Sequence, residues 1–336
     1  MEQIKISVIV PSFNQGKYIS SVIKSVIGQS YSNWELIIQD GNSGDDTSEV
    51  CNRYIADSRI KFYSEPDKGF ADGVNKALIK ATGKLCVIQS SDDFFSSPYV
   101  FEDVVSIFND DSRLNLICGS AVVVDEDLNH LSTSERVTGY TQPEFVYDLK
   151  NSFSQSATFF LLEKALEIGM LDTKVDMVAD TDFWIRLCCY DKPRPNSIYQ
   201  TSKIWGGVLI QANQRSADFS KFVLGRAKMF LQFVGDNRIK YAIPFKSSVA
   251  LNFIHYGIKH FEANNLNPTP FYSLYKELTG NVYSMPKISF EKLNRLLRSE
   301  RKALRFPNSI QDVYFNKSSK STFYNYGWFK DEVKAK

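Results

Sequence analysis

Short apolar runs alternate with helix-spaced segments across the first 125 residues, and most of the runs break off at a polar turn. Ile4, Ile6 and Val8-Ile9-Val10 form the first expected strand, closed by Pro11-Ser12. Ile19, Val22, Ile23, Val26 and Ile27 then fall on one helical face. Residues 34–38 read as a second strand ending at Gln39-Asp40-Gly41, and residues 60–63 as a third. A helix over 70–81 stops at Gly83, a usual C-terminal breaker. The run Leu85-Cys86-Val87-Ile88 leads through Gln89-Ser90-Ser91 into Asp92-Asp93. Ser97-Pro98 opens a helix to about residue 108, and 116–124 is a further strand. Repeated βα units demand crossovers, hence an α/β fold: a Rossmann-like, mostly parallel sheet with helices on both faces.

That topology also says where chemistry belongs. In an open parallel sheet, ligands bind outside the carboxyl ends of the strands. Asp40 and Asp93 both fall at such ends, so the fold carries them to one edge. Adjacent carboxylates there suit a hard divalent cation, Mg2+ or Mn2+, that in turn binds nucleotide phosphates. An isolated Asp-Asp pair is more often a solvated turn or a helix N-cap; here further acids accompany it. Residues 157–161 return to a strand and 180–189 read as a short helix, while 125–150 and 200–216 are expected to be specificity loops.

A chain of 336 residues with 43% hydrophobic content supports one large or two medium domains and excludes global disorder. Cys51, Cys86, Cys118, Cys188 and Cys189 make neither a disulfide framework nor a zinc pattern, which points to a reducing, cytoplasmic setting. The N-terminus lacks the apolar core of a signal peptide, and no apolar run approaches the ~20 residues of a membrane span. The net charge of +2 hides an asymmetry: residues 217–336 carry 20 Lys and Arg against 9 Asp and Glu, residues 1–216 carry 20 against 29. A boundary near 216 separates an acidic first domain (1–216) from a basic, mainly helical region (217–336). In the latter, Phe219, Phe222, Val223, Phe230, Phe233 and Val234 form one apolar stripe. Leu293, Leu296, Leu297 and Leu304 form another, flanked by Lys292, Arg295, Arg298, Arg301, Lys302 and Arg305.

Five blocks, in order and with the right spacing, resemble an inverting glycosyltransferase of family 2 with a GT-A fold, of the kind found in bacterial polysaccharide synthesis. They are Ser7-Val8-Ile9-Val10-Pro11-Ser12-Phe13-Asn14; Asp40-Gly41-Asn42-Ser43-Gly44-Asp45-Asp46-Thr47; Ser64-Glu65-Pro66-Asp67-Lys68-Gly69 with Asp72 and Asn75-Lys76; Ser91-Asp92-Asp93; and Ala179-Asp180-Thr181-Asp182-Phe183-Trp184-Ile185-Arg186-Leu187. The resemblance covers about residues 4–216. It implies a nucleotide-sugar donor whose base meets Asp40, with Pro11, Ser12, Phe13, Asp67, Asp72 and Asn75 lining the donor pocket. Asp93 is the implied metal ligand in a DXD-type motif, and Asp92 meets the ribose or a metal-bound water. Lys68 or Lys76 contacts phosphate or is a solvated surface lysine. Asp180 is the implied base for the acceptor hydroxyl; as a helix N-cap it would instead contribute ~1 kcal/mol. Asp182 is expected to orient its neighbours, and Trp184 lines the acceptor pocket or packs in the core.

Two positions depart from the family pattern. Gln211 and Gln155 stand where relatives commonly carry His, and His130, His255 and His260 lie elsewhere. An amide oxygen still ligates Mg2+ or Mn2+, so Gln211 is expected to be a weak metal ligand. The alternative is a catalytically degenerate protein that binds nucleotide-sugar or carbohydrate. The basic tail reads as an anchor to an anionic membrane surface, where lipid-linked acceptors sit, or as a packing or homo-oligomerisation surface. No groove-reading motif supports nucleic-acid binding. A dinucleotide oxidoreductase would need a G-x-G-x-x-G turn after the first strand, and it is absent.

Overall fold

The computed structural model describes residues 3–141, 153–189, 196–211, 214, 219–235 and 246–279. The order begins β1 (Ile6–Ser12), α1 (Ile19–Ile27), β2 (Trp34–Asp40), α2 (Thr47–Asn52), β3 (Ile60–Ser64), α3 (Phe70–Lys80) and β4 (Leu85–Ile88). It continues with β5 (Phe94–Phe95), α4 (Val100–Asp110), β6 (Leu116–Val124), β7 (His130–Ser134), β8 (Gly139–Tyr140), β9 (Thr158–Leu161), α5 (Leu162–Glu167), α6 (Ala179–Cys189) and β10 (Ile198–Leu209). Three helices follow: α7 (Phe219–Gly235), α8 (Lys246–Ala263) and α9 (Thr269–Thr279).

The sheet runs β3-β2-β1-β4-β9-β6-β10-β5, with β7 on β6 and β8 on β10. β3, β2, β1 and β4 are mutually parallel, as their βα crossovers require. All seven residues of β1 are buried, the mark of a strand covered on both faces. Its side chains alternate accordingly. Val8 and Val10 join Ile19, Val22, Ile23 and Val26 of α1 on one face. Ile9 joins Val74 and Leu78 of α3, Phe183 and Trp184 of α6, and Val223 and Phe230 of α7 on the other. The stripe read on 219–234 therefore has a partner: it closes the core over α6. The leucine stripe at 293–304 lies outside the described residues.

Two expectations change. The strand expected over 157–161 is β9, Thr158–Leu161, and it runs antiparallel, wedged between β4 and β6. Much of the expected loop at 200–216 is β10, paired parallel to β6. Its Gly206-Gly207 pair hid it from pattern reading, yet Gly207 is where the ring of Phe94 fits: an added Cβ would lie 2.2 Å from Phe94 Cζ. Similarly, β7 and β8 occupy part of 125–150; residues 142–152 lie outside the described residues. Cys51, Cys86, Cys118 and Cys188 are buried thiols, and no described helix is long and apolar enough to cross a membrane.

A charged staple fixes the edge at the strands' N-terminal ends. Glu35 of β2, 1% exposed, accepts Ser7 Oγ at 2.7 Å, Thr82 N at 2.7 Å and Thr82 Oγ1 at 2.8 Å. Lys61 and Lys5 pair with its other oxygen at 2.8 and 3.1 Å. Burial alone would raise this carboxyl, but the hydrogen bonds from Lys61, Ser7 and Thr82 outweigh it and bring the pKa down to about 2. The stabilisation is therefore complete above the unfolded carboxyl's pKa and is lost as pH falls from about 4.5 through about 2. Glu35→Gln is expected to cost about 2–3 kcal/mol in urea unfolding at pH 7, and the gap to the parent should shrink toward zero near pH 2. A gap of equal size at both pH values would show that ionisation of Glu35 contributes nothing.

Candidate active site

The parallel register aligns the other edge. Ser12 of β1 pairs with Asp40 of β2, and Asp40 with Ser64 of β3; Ile88 of β4 pairs with Ile9, two residues before Pro11. The Ser90–Asp93 turn is thus delivered next to the end of β1. It is clamped there from three sides. Ser91 Oγ donates to the Pro11 carbonyl at 2.8 Å, Gln155 Nε2 to Ser90 Oγ at 3.3 Å, and Gln211 Nε2 to Asp92 Oδ2 at 2.7 Å.

Burial pushes the Asp93 carboxyl well above the usual range, and the neighbouring charge of Asp92 adds to it. Asp92 is raised too, by burial, with the Gln211 amide opposing. Burial and mutual repulsion disfavour the ionised form of both acids, and a cation beside them would favour it. The donors within reach are all hard oxygens, which fits Mg2+ or Mn2+. Among the described residues no group of three or more His, Cys, Asp and Glu side chains gathers to hold a metal. Magnesium sites commonly use one or two carboxylates and take their other oxygens from water and substrate phosphate. Gln211 does reach this site, but as a hydrogen-bond donor to Asp92.

Asp40 lies at the edge but is 0% exposed. Its carboxylate accepts Ser43 N at 2.9 Å, Ser64 Oγ at 2.8 Å and the Ser43 hydroxyl. It is occupied shaping its own turn rather than facing a base. The same segment locks the loop after β1: Asn14 N donates to Ser43 Oγ at 2.7 Å, Gln15 N to Thr47 Oγ1 at 2.9 Å, and Gly16 N to Asp45 Oδ2 at 3.0 Å. Asp67 takes the forward position. Its Oδ2 lies 2.8 Å from where a Cβ on Gly41 would be and 3.0 Å from one on Gly73, so both glycines leave room for this carboxylate. Gly69 N holds its other oxygen at 2.8 Å. Asp72 accepts Lys68 N at 3.0 Å and pairs with Lys76 at 3.7 Å. Pro11 and Ser12 are buried, whereas Phe13 is 59% exposed at the rim.

Asp180 stands in the first turn of α6, half-buried. The helix is tied to the functional edge by Phe153, just before the Gln155–Ala157 turn, whose ring meets Trp184 edge-on at 6.2 Å. That turn in turn receives Gln89 Nε2 at the Ser156 carbonyl, 2.8 Å. Three further residues make supporting contacts, as expected for Asp182 and in place of the pocket expected for Trp184 and Asn75. Trp184 is 1% exposed and packs on Phe160 and Phe183, so it is core and lines no acceptor pocket. Asp182, fully buried, pairs with Arg186, which also donates to the Ile168 and Met170 carbonyls. Asn75 clasps the backbone of Leu171 with both ends of its amide, each at 2.9 Å, and so braces the 168–171 turn instead of the donor pocket. Thr181 and the buried Arg226, which donates to its hydroxyl at 3.1 Å, were not singled out in the sequence; the one signal was an arginine inside an apolar stripe.

Comparison with known proteins agrees with this architecture. Residues 7–168 match Glycosyl transferase family 2. The chain is similar to the UDP-Glc:alpha-D-GlcNAc-diphosphoundecaprenol beta-1,3-glucosyltransferase WfgD of Escherichia coli, 40% identical over 96 residues, 28% of this chain and 38% of that protein. It is also similar to the putative teichuronic acid biosynthesis glycosyltransferase TuaG of Bacillus subtilis (strain 168), 41% identical over 90 residues, 26% of this chain and 36% of that one. Each match spans well under half of the relative's length. Among solved structures, S. aureus TarS 1-349 in complex with UDP-GlcNAc superposes with a TM-score of 0.58 at 16% identity, covering 77% of this chain and 73% of that one. The mannosyltransferase PcManGT from Pyrobaculum calidifontis, in complex with GDP-Man and Mn2+, gives 0.52 at 14% identity over 94% and 88%. At such identities these likenesses speak to the fold alone. Residues 7–168, then, match glycosyl transferase family 2, and the described chain shares the GT-A fold of these structures.

Proposed function

We propose that the chain is an inverting glycosyltransferase that moves a sugar from a nucleotide-diphosphate donor to a saccharide or lipid-linked saccharide in cell-surface polysaccharide synthesis. The observation that carries this reading is the Asp92–Asp93 turn, with Asp93 buried, clamped at the sheet edge by the Pro11 carbonyl and Gln211. A uridine diphosphate donor is favoured because WfgD is named for UDP-Glc and TarS was solved with UDP-GlcNAc. WfgD's name also supports a diphosphoundecaprenol-linked acceptor, hence work at the inner face of the cytoplasmic membrane.

Each residue then has a task. Phe13 covers the nucleobase from the rim, Asp67 accepts its N–H edge, and Asp92 meets the ribose. Asp93 holds a divalent cation, which supplies neutralisation of the charge that develops on the leaving diphosphate. Asp180 takes the proton from the acceptor hydroxyl as that oxygen attacks the anomeric carbon from the face opposite the diphosphate, which inverts the configuration. General base catalysis of this kind contributes about 10²–10⁴-fold.

The test is release of UDP from UDP-glucose and UDP-GlcNAc with Mn2+ or Mg2+ present. Asp180→Asn is expected to lower turnover at least about 100-fold while UDP still raises the melting temperature as in the parent. Equal turnover would remove Asp180 from the chemistry; no turnover by the parent with any donor or cation would favour the degenerate-binder alternative. Asp93→Asn should abolish the extra thermal stabilisation that Mn2+ gives in the presence of UDP. An unchanged Mn2+ titration would place the cation elsewhere.

A further inference from the structure

Arg226 is 3% exposed on a helical stripe otherwise made of buried Val223, Ala227 and Phe230. Burying a guanidinium costs several kcal/mol before its partners repay it, so its presence on an apolar face calls for a reason. Its guanidinium lies 4.8 Å over the ring of Phe222, and its Nη2 donates to Thr181 Oγ1 at 3.1 Å. Thr181 is itself buried, at 4% exposure. Arginine has no acceptor atom, so the direction of that bond is fixed. The Thr181 hydroxyl accepts from Arg226 and turns its own single proton to Asp180 Oδ1, 3.4 Å away. Bonds of this kind are often long before substrate binds and tighten in the complex.

We propose that Arg226 is a positioning residue, acting through Thr181 to orient the Asp180 carboxylate. The inference rests on Asp180 being the base. With Oδ1 held by Thr181, Oδ2 is the oxygen presented to the acceptor hydroxyl, and the carboxylate cannot swing freely about its side-chain torsions. The helix that carries Arg226 is seated for this task. It crosses the Asp176–Val178 turn immediately before α6, where a Cβ on Gly225 would lie 3.4 Å from Val178. A helix beyond the family-matched span 7–168 thus completes the catalytic unit, and the basic region is more than an appendage.

Thr181→Val removes the hydroxyl at nearly constant volume, Thr181→Ser restores it, and Arg226→Lys keeps the charge but not the fork. The readout is steady-state UDP release with Mn2+, using whichever of UDP-glucose and UDP-GlcNAc the parent turns over faster. Thr181→Val is expected to lower kcat about ten-fold with donor KM within two-fold of the parent. Thr181→Ser should recover most of that loss. Arg226→Lys should lower kcat by a similar factor, and the Thr181→Val/Arg226→Lys double variant no further, since both break one chain. Losses that multiply, a change confined to KM, or a Thr181→Val enzyme with the parent's kcat would overturn the inference. Asp180→Asn in the same assay separates the two ideas. If it abolishes turnover while Thr181→Val does nothing, only the relay fails; if it leaves turnover intact, the base assignment fails first and the relay with it.

Discussion

A parallel ladder has two unlike ends, and the register of β1 with β2 and β4 decides which residues stand at each. Ser7 opposite Glu35, with Lys61 on the next strand, puts a fully satisfied charge cluster at the N-terminal end. Ser12 opposite Asp40, with Ser90–Asp93 beyond β4, puts the acids at the C-terminal end. A one-residue slip would turn every side chain of β1 to the opposite face and exchange its two cores. The seven buried residues of β1 make that slip prohibitively costly, so the packing of a central strand is also what fixes the geometry of the rim.

The acids at that rim divide by what already satisfies them. Asp40 has three donors from its own turn and a neighbouring strand, and Asp182 is paired with a buried arginine; both are structural. Asp93 is buried and Asp92 half-buried, both with raised proton affinity, an electrostatic cost at that turn that a bound cation would relieve. Asp67 and Asp180 are partly accessible and each is held by one oxygen. Partnering, more than sequence position, separates the carboxylates that shape the site from those left to meet a ligand.

Much of this was legible in the sequence. The apolar runs of β1, β2, β4 and β6 and the helical spacing in α1 and α3 gave the parallel half of the sheet, because both periodicities are local. The direction of β9 was not legible: Thr158–Leu161 is apolar either way, and only its pairing with β4 and β6 sets the sense. β10 was missed because Gly206 and Gly207 erase the alternation, and their reason, the Phe94 ring and Ser156, lies far away in sequence. The same limit explains Asp40, Asn75 and Trp184. Motif order located them near the site, but whether a side chain faces inward to Ser43, Leu171 or Phe160 depends on tertiary contacts that no local pattern encodes. Arg226 went unread, although a charge on the 219–234 stripe is a local signal of a buried group; its partner Thr181 lies far away in sequence.

On the proposed function, the Asp92–Asp93 turn, Asp67 and the N-terminus of α6 face one hollow that holds a nucleotide diphosphate and its cation. Crystals grown with UDP and Mn2+ and measured at the manganese absorption edge test it most directly. The account predicts a single anomalous peak on the Asp93 carboxylate, the uracil against Phe13 and Asp67, and Asp180 across the same hollow. A manganese peak on another surface, or Asp180 turned away from the bound nucleotide, would contradict it.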